Sequence, residues 1–284
     1  MRDNFTQGTI IANIRSLKYP SIKCKGIVIS ARCDFAQNKI KYFHCLSAME
    51  LEQWIYEVLF WNIVEEVKKG VLKNLRTCAK ELALDFVTLM EFGVDKSRIV
   101  FEKNLQGKRL KQVLQWCDEW KYYEEMECGK VSIVEKQEFF KEKVPKKICM
   151  DKLRSLYNGA FPKYCFIPQN AYSDEKSVTK GIVIDLQDIY QYDMNYKVQI
   201  LDNQIDYQLV KDEELRTKIN ELFFFEKEDF VIVEGIIKSP WIEYLLQHFS
   251  HSFGRIGVDN ATPEEMEDFF SDFFRRINDK IFFI

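Results

Sequence analysis

Lys25-Gly26-Ile27-Val28-Ile29-Ser30-Ala31-Arg32-Cys33-Asp34 decides how this chain is read. A glycine opens a short β-branched apolar run, which gives way at once to small and polar residues ending in Cys-Asp. A run bounded in this way predicts a buried strand whose end delivers side chains to a surface or pocket. The phrase returns as Lys180-Gly181-Ile182-Val183-Ile184-Asp185-Leu186-Gln187-Asp188. Gly26–Ile29 repeats as Gly181–Ile184, and Cys33-Asp34 falls near Gln187-Asp188, one residue out of step. Duplication and chance recurrence of a common strand phrase are both open readings. The phrase is not a recognised catalytic motif.

With 284 residues the chain can bury a substantial core in one large or two modest domains. Hydrophobic content of 46% beside 30% charge is ordinary for a soluble globular protein. The 23 Phe and 13 Tyr, set against 11 Gly and 6 Pro, predict aromatic-rich cores and few long flexible loops. A net charge of −3 argues against a dedicated nucleic-acid coat. The charge is uneven, however: residues 1–47 carry eight Lys and Arg against Asp3 and Asp34. Two readings of that basic stretch are a solvated rim on a small sheet and a face for an anionic ligand or partner. The eight cysteines include no C-x-x-C pair and no zinc-ribbon rhythm. Met1–Thr6 is polar where a signal peptide would build toward an apolar core. No run approaches the roughly 18 apolar residues that a membrane span needs. The expectation is free thiols in a reducing cytoplasm, with no membrane partner.

Three segments follow from the patterning: a small β-barrel-like domain over 1–47, a helical region over 48–160, and a second β element with C-terminal helices over 161–284. Gly8–Ile14, Lys25–Ser30 and Lys39–Leu46 are strand candidates, and neither G-x-G-x-x-G nor a Walker A loop follows any of them. Ser47-Ala48-Met49-Glu50 matches a capping box with Ser47 at the N-cap. Leu51, Trp54, Ile55, Val58 and Leu59 then make the stripe of an amphipathic helix that extends to Leu75, with Gly70 as a break. Tyr196–Leu201 is expected as a strand, in the place that Lys39–Leu46 holds after the first phrase. Phe223–Phe225 and Phe230–Ile237 read as a hairpin around the charged turn Glu226–Asp229. Ser239-Pro240 opens one closing helix, with Gly254 or Gly257 near its stop. The Thr262-Pro263-Glu264-Glu265 box opens another, with Met266, Phe269, Phe270, Phe273, Phe274 and Ile277 on its apolar stripe. The predicted fold class is α+β: small bent sheets or SH3-like barrels, in one or two copies, a helical middle and two C-terminal helices.

Cys33 and Asp34, with Arg32, are the catalytic candidates. A thiol and a carboxylate just beyond a buried strand could be a nucleophile with its orienting group, or metal ligands with His44 and Cys45. Equally, Cys33 packs as a small hydrophobe and Asp34 starts a turn. A thiolate needs a base, and only His44, His248 and His251 exist. Ser30, Arg32, Asp34, Asp185, Asp188 and Arg255 are the candidate binding residues. Asp185 and Asp188 read as an acidic pair lacking a third metal ligand, hence as a solvated strand end. Arg255 reads as a cation at a negative helix end, or as a salt-bridge partner of Asp34 or Asp188. His248-x-x-His251 shares one helix face but lacks a carboxylate. Asp85, Glu91 and Asp95-Lys96 faintly follow a nuclease carboxylate–lysine arrangement without a strand frame. No metal or cofactor site is expected.

The phrase Gly26-Ile27-Val28-Ile29-Ser30-x-x-Cys33-Asp34, preceded by Gly8-Thr9-Ile10-Ile11, resembles the N-terminal signature of a group of uncharacterised bacterial proteins. Its small bent sheet resembles the SH3-like barrel of the MazF/PemK toxin group. Phe166–Pro168, Val183–Asp185, Ser239-Pro240-Trp241 and Phe253–Gly257 are similar to the C-terminal half of the same group. MazF-type enzymes are RNA endonucleases, but this chain departs from them in length and in its helical middle, so no RNase activity is carried over. Two functions are therefore expected. The first is a cytoplasmic bacterial interaction or regulatory protein with a protein partner, a component of a toxin–antitoxin or phage-defence system. The alternative is an RNA- or DNA-processing enzyme that uses the basic N-terminal face.

Overall fold

The computed structural model describes residues 5–37, 39–174, 180–202, 205, 213–223 and 230–254. Six strands form one antiparallel sheet curled into a half-barrel: β1 (Thr9–Arg15), β2 (Lys23–Val28), β3 (Tyr42–Glu50), β4 (Tyr164–Pro168), β5 (Gly181–Asp193) and β6 (Val233–Ile236). Their order is β4-β5-β3-β2-β1-β6, so strands from the two ends of the chain share a single sheet. A short helix α1 (Arg32–Ala36) joins β2 to β3. The middle of the chain is helical, as expected: α2 (Leu51–Trp54), a π-helical turn (Ile55–Leu59), α3 (Phe60–Glu81), α4 (Phe86–Asn104), α5 (Gly107–Cys128), α6 (Ile133–Glu142) and α7 (Lys146–Tyr157). Helices α8 (Met194–Leu201), α9 (Glu213–Leu222) and α10 (Trp241–Gly254) complete the described chain.

The repeated apolar phrase has a physical explanation in this arrangement. Successive strand residues point to opposite faces, and here both faces are covered. Ile10, Ile27, Leu46, Ile182 and Ile184 pack under Ile242 and Leu245 of α10. Ile11, Val28, Phe43 and Cys45 pack on the other face with Ile200 of α8, Ile219 of α9 and Phe223. Val183, Met49 and Phe166 face the helical layer through Trp54, Phe60 and Ile63. A strand buried on both sides has no place for polar alternation. Both opening glycines answer a close approach rather than a turn. A Cβ on Gly181 would sit 2.3 Å from the Ile167 carbonyl oxygen, and one on Gly26 would sit 2.9 Å from Ile14 Cγ2.

Several expectations are corrected. Ser47 is not an N-cap but a buried residue inside β3, where it lies opposite Gly26 of β2. The helix starts three residues later behind Glu50, whose N–H donates to Gln53 Oε1 at 3.3 Å. Gly70 does not break α3, because burial of Val71 and Leu75 outweighs the modest cost of one helical glycine. Tyr196–Leu201 is helical, capped by Asp193, which accepts from Asn195 N at 2.9 Å. The second phrase therefore does not repeat the course of the first: β5 runs on for 13 residues, whereas β2 ends at Val28 and turns into α1. Phe223 bridges Ile14, and Val233–Ile236 pairs with β1, so both lie along that strand. Residues 226–229 of the expected hairpin turn, Arg255, Gly257 and the 262–277 helix lie outside the described residues.

Candidate binding cleft

The site grows from an irregularity in β5. Between the pairs Leu46↔Ile189 and Ala48↔Ile184, β3 contributes Ser47 alone while β5 contributes Asp185, Leu186, Gln187 and Asp188. This bulge takes Asp185 and Asp188 out of the pairing with β3, while Asp185 stays opposite Tyr164 of β4; bulges are common beside functional sites. The loop from Ser16 to Ile22, between β1 and β2, then folds across to meet it. β1 and β5 are separated in the sheet by β2 and β3, so the loop closes the half-barrel with side chains instead of strands.

The closure is dense. Asp185 is 1% exposed and accepts from the Lys18 ammonium, from Tyr19 Oη at 2.7 Å and from Gln187 N at 3.0 Å. Asp188 accepts from Ser16 Oγ at 2.7 Å, Ser47 Oγ at 2.5 Å and Tyr190 Oη at 2.8 Å. Tyr190 Oη in turn accepts from Leu17 N at 2.7 Å. Burial opposes the charge on Lys18, but the hydrogen bond and the charge of Asp185 outweigh it and raise the lysine pKa. Burial and the bond to Asp185 push the Tyr19 phenol far up, and burial also raises Tyr164 and Tyr190. These hydroxyls are proton donors that stay protonated. Cys24 is pushed up to about 12 by burial and by the charges of Asp188 and Asp185.

Beside this network opens a cleft of about 410 Å³, between the Lys18–Ile22 loop, Tyr164 of β4 and the helix carrying Glu57, Trp61 and Glu65. Glu57 sits in the π-helical turn, a rare local geometry that recurs at functional sites. Each wall already holds one cation against aromatic rings. Lys18 Nζ lies 5.4 Å from the Tyr19 centroid and 5.6 Å from that of Tyr164. Lys136 is buried on α6, donates to Glu57 Oε1 at 3.1 Å, and lies 5.6 Å from the Phe60 ring and 6.0 Å from the Trp61 ring.

The sequence candidates divide between two places. Asp185 and Asp188 come together in a hydrogen-bonded network, Asp185 buried and Asp188 half-buried, and not at a solvated strand end. Arg32, Cys33 and Asp34 lie on α1, and Ser30 precedes it, accepting from His44 N at 2.8 Å. Cys33 is exposed, so it does not pack as a hydrophobe; its thiol donates to Asp34 Oδ1 at 3.7 Å. The Asp34 carbonyl accepts from Lys39 N at 3.1 Å, which makes the expected turn. Among the described residues no hydrogen bond or ion pair joins His44 to Cys33 or Asp34. Of the nuclease-like arrangement, Asp85 is the N-cap of α4 and Asp95 pairs with Lys121, so these two carboxylates serve separate surface roles. His248 is half-buried with its ring 4.4 Å from Tyr244; burial and the neighbouring His251 lower its pKa to about 4. Among the described residues no group of three or more His, Cys, Asp or Glu could hold a metal ion. All eight cysteines are free thiols.

Sequence reasoning missed Ser16, Lys18, Tyr19 and Trp61. Their only local signal is a polar loop ahead of Pro20 and one aromatic on an apolar helix stripe. Comparison of the chain with known families, with curated proteins and with solved structures finds no match. No described helix is long and apolar enough to cross a membrane.

Proposed function

We propose that this chain is an interaction protein of regulatory role that recognises a protein partner, with the cleft beside Lys18 and Asp185 as its recognition surface. One observation supports this over catalysis: the reactive groups around the cleft are committed to one another. Asp185 and Asp188 each accept three hydrogen bonds, and the tyrosine protons are held. Among the described residues Cys33 meets the Asp34 carboxylate at 3.7 Å and no histidine, whereas a nucleophile or general base needs a partner within about 3 Å. Affinity capture from a bacterial lysate with wild type and with Trp61→Ala tests the reading. A protein enriched by wild type and lost with the variant supports it; capture of the same proteins by both overturns the cleft as the recognition surface. Membership of a toxin–antitoxin or phage-defence system is part of the same proposal, and the identity of the captured protein decides it.

The nucleic-acid reading keeps one supporting observation, now confined to one end of the sheet. Lys18 and Lys25 are neutralised by Asp185 and by Glu50 and Glu234. Arg32 and Lys39 have no carboxylate partner among the described residues, and Lys197 lies 5.5 Å from the ring of Phe35 on α1. Labelled single-stranded RNA and duplex DNA, titrated at two salt concentrations, test it. Salt-sensitive binding weakened by Arg32→Ala favours this reading, and no binding at low salt sinks it.

A further inference from the structure

We infer that the cleft takes a cationic side chain, an arginine or a lysine, presented by a protein partner; this rests on the interaction reading above. The helix wall offers Glu57, Trp61 and Glu65 at successive turns, so an indole stands between two carboxylates. An aromatic face flanked by carboxylates attracts a guanidinium or ammonium by its quadrupole and by direct pairing. The molecule already displays this chemistry on the α6 side, where Lys136 bonds Glu57 and lies over Trp61. It displays it again on the opposite wall, where Lys18 lies over Tyr19 and Tyr164 and bonds Asp185.

The charges facing the cleft leave one carboxylate for exchange. Lys18 is neutralised by the buried Asp185, and Glu57 is shared with Lys136. Glu65 pairs at 2.6 Å with Lys69, one turn along the same helix, with both side chains well exposed. Exposed pairs of this kind hold weakly, so an incoming cation stacked on Trp61 can displace Lys69. An anionic group would meet Glu57 and Glu65 with Lys18 already tied to Asp185. The volume of about 410 Å³ suits one long side chain with its flanking backbone.

The probe is N-acetyl-Gly-Arg-Gly-amide, titrated calorimetrically into the full chain beside its neutral citrulline isostere. The arginine peptide is expected to bind in about the millimolar range and the citrulline peptide about fivefold more weakly. Glu65→Gln and Trp61→Ala should each weaken the arginine peptide about fivefold, and Lys69→Ala, which frees Glu65, should tighten it about twofold. Circular-dichroism melts confirm that the variants fold. Equal affinity for the two peptides, no binding of either, or no change in any variant would overturn the inference. Lysate capture separates this from the broader reading. A partner retained by both Glu65→Gln and Trp61→Ala leaves a protein-binding role but removes the cleft as its surface, and the cation site with it. Arginine-peptide binding with no partner captured leaves the cation site and overturns the protein-partner reading.

Discussion

The two Lys-Gly-Ile-Val-Ile phrases begin alike and end in opposite environments. Both enter the sheet beside β3, the first as β2 on one side and the second as β5 on the other. Both glycines accommodate a neighbour, and both apolar runs are buried on two faces. The paths part at Ser30 and Asp185, which hold the same place in the phrase. Ser30 accepts one backbone N–H and the chain leaves the sheet into α1, so Cys33 and Asp34 reach solvent. Asp185 stays in the sheet as the start of a bulge and becomes the centre of a buried cluster. Apolar letters set how a segment is buried; the fate of the polar letters after them depends on what stands opposite.

The largest test of that contrast is Asp185→Ala against Asp34→Ala. Removing Asp185 leaves Lys18 without its partner and Tyr19 without its acceptor. Lys18 is 41% exposed, so its freed charge reaches water, and the expected loss is about 2–3 kcal/mol rather than the larger cost of a fully buried pair. Asp34→Ala should stay within about 0.5 kcal/mol. Urea midpoints measure both, and equal losses would erase the distinction. Next come the glycines. Gly181→Ala drives a methyl into a backbone carbonyl and should cost about 2 kcal/mol. Gly26→Ala meets a side-chain methyl that can shift, and should cost about 1 kcal/mol. A larger loss at Gly26 would show that the β1–β2 contact is the tighter of the two. Ser30→Ala stands beside Gly26→Ala at about 1 kcal/mol, from an unpaired His44 N–H, and of these variants Asp34→Ala alone is expected to cost less. No change in the same urea assay would mean that water replaces the hydroxyl at that strand end.

Legibility followed the range of the interaction. The helical stripe from Leu51 to Leu75 is readable in the sequence, because residues three and four apart share a face whatever lies beyond, though Gly70 does not break it and the helix runs on to Glu81. Its start was misplaced, since the Ser47 hydroxyl is used by Asp188, 141 residues away, and not by its own helix. Tyr196–Leu201, expected as a strand, is helical for a similar reason: β5 extends further than its apolar run because β3 offers it pairing as far as Asp193. Arg32, Cys33 and Asp34 are readable as the polar end of a strand, but what the fold sets beside them is not, and among the described residues no histidine bonds to Cys33 or Asp34.

By itself the sequence determined two buried strands from their unbroken apolar runs, and a helical middle from its periodicity. Those properties come from neighbours within a few residues. The tertiary structure decided the strand order, the four-residue bulge opposite Ser47, the loop that closes the half-barrel, and the cleft between Tyr164 and Trp61. Each of these joins groups far apart in the chain, so local letters carry no trace of them; the buried Asp185 and the half-buried Asp188 take their donors from wherever the fold brings them.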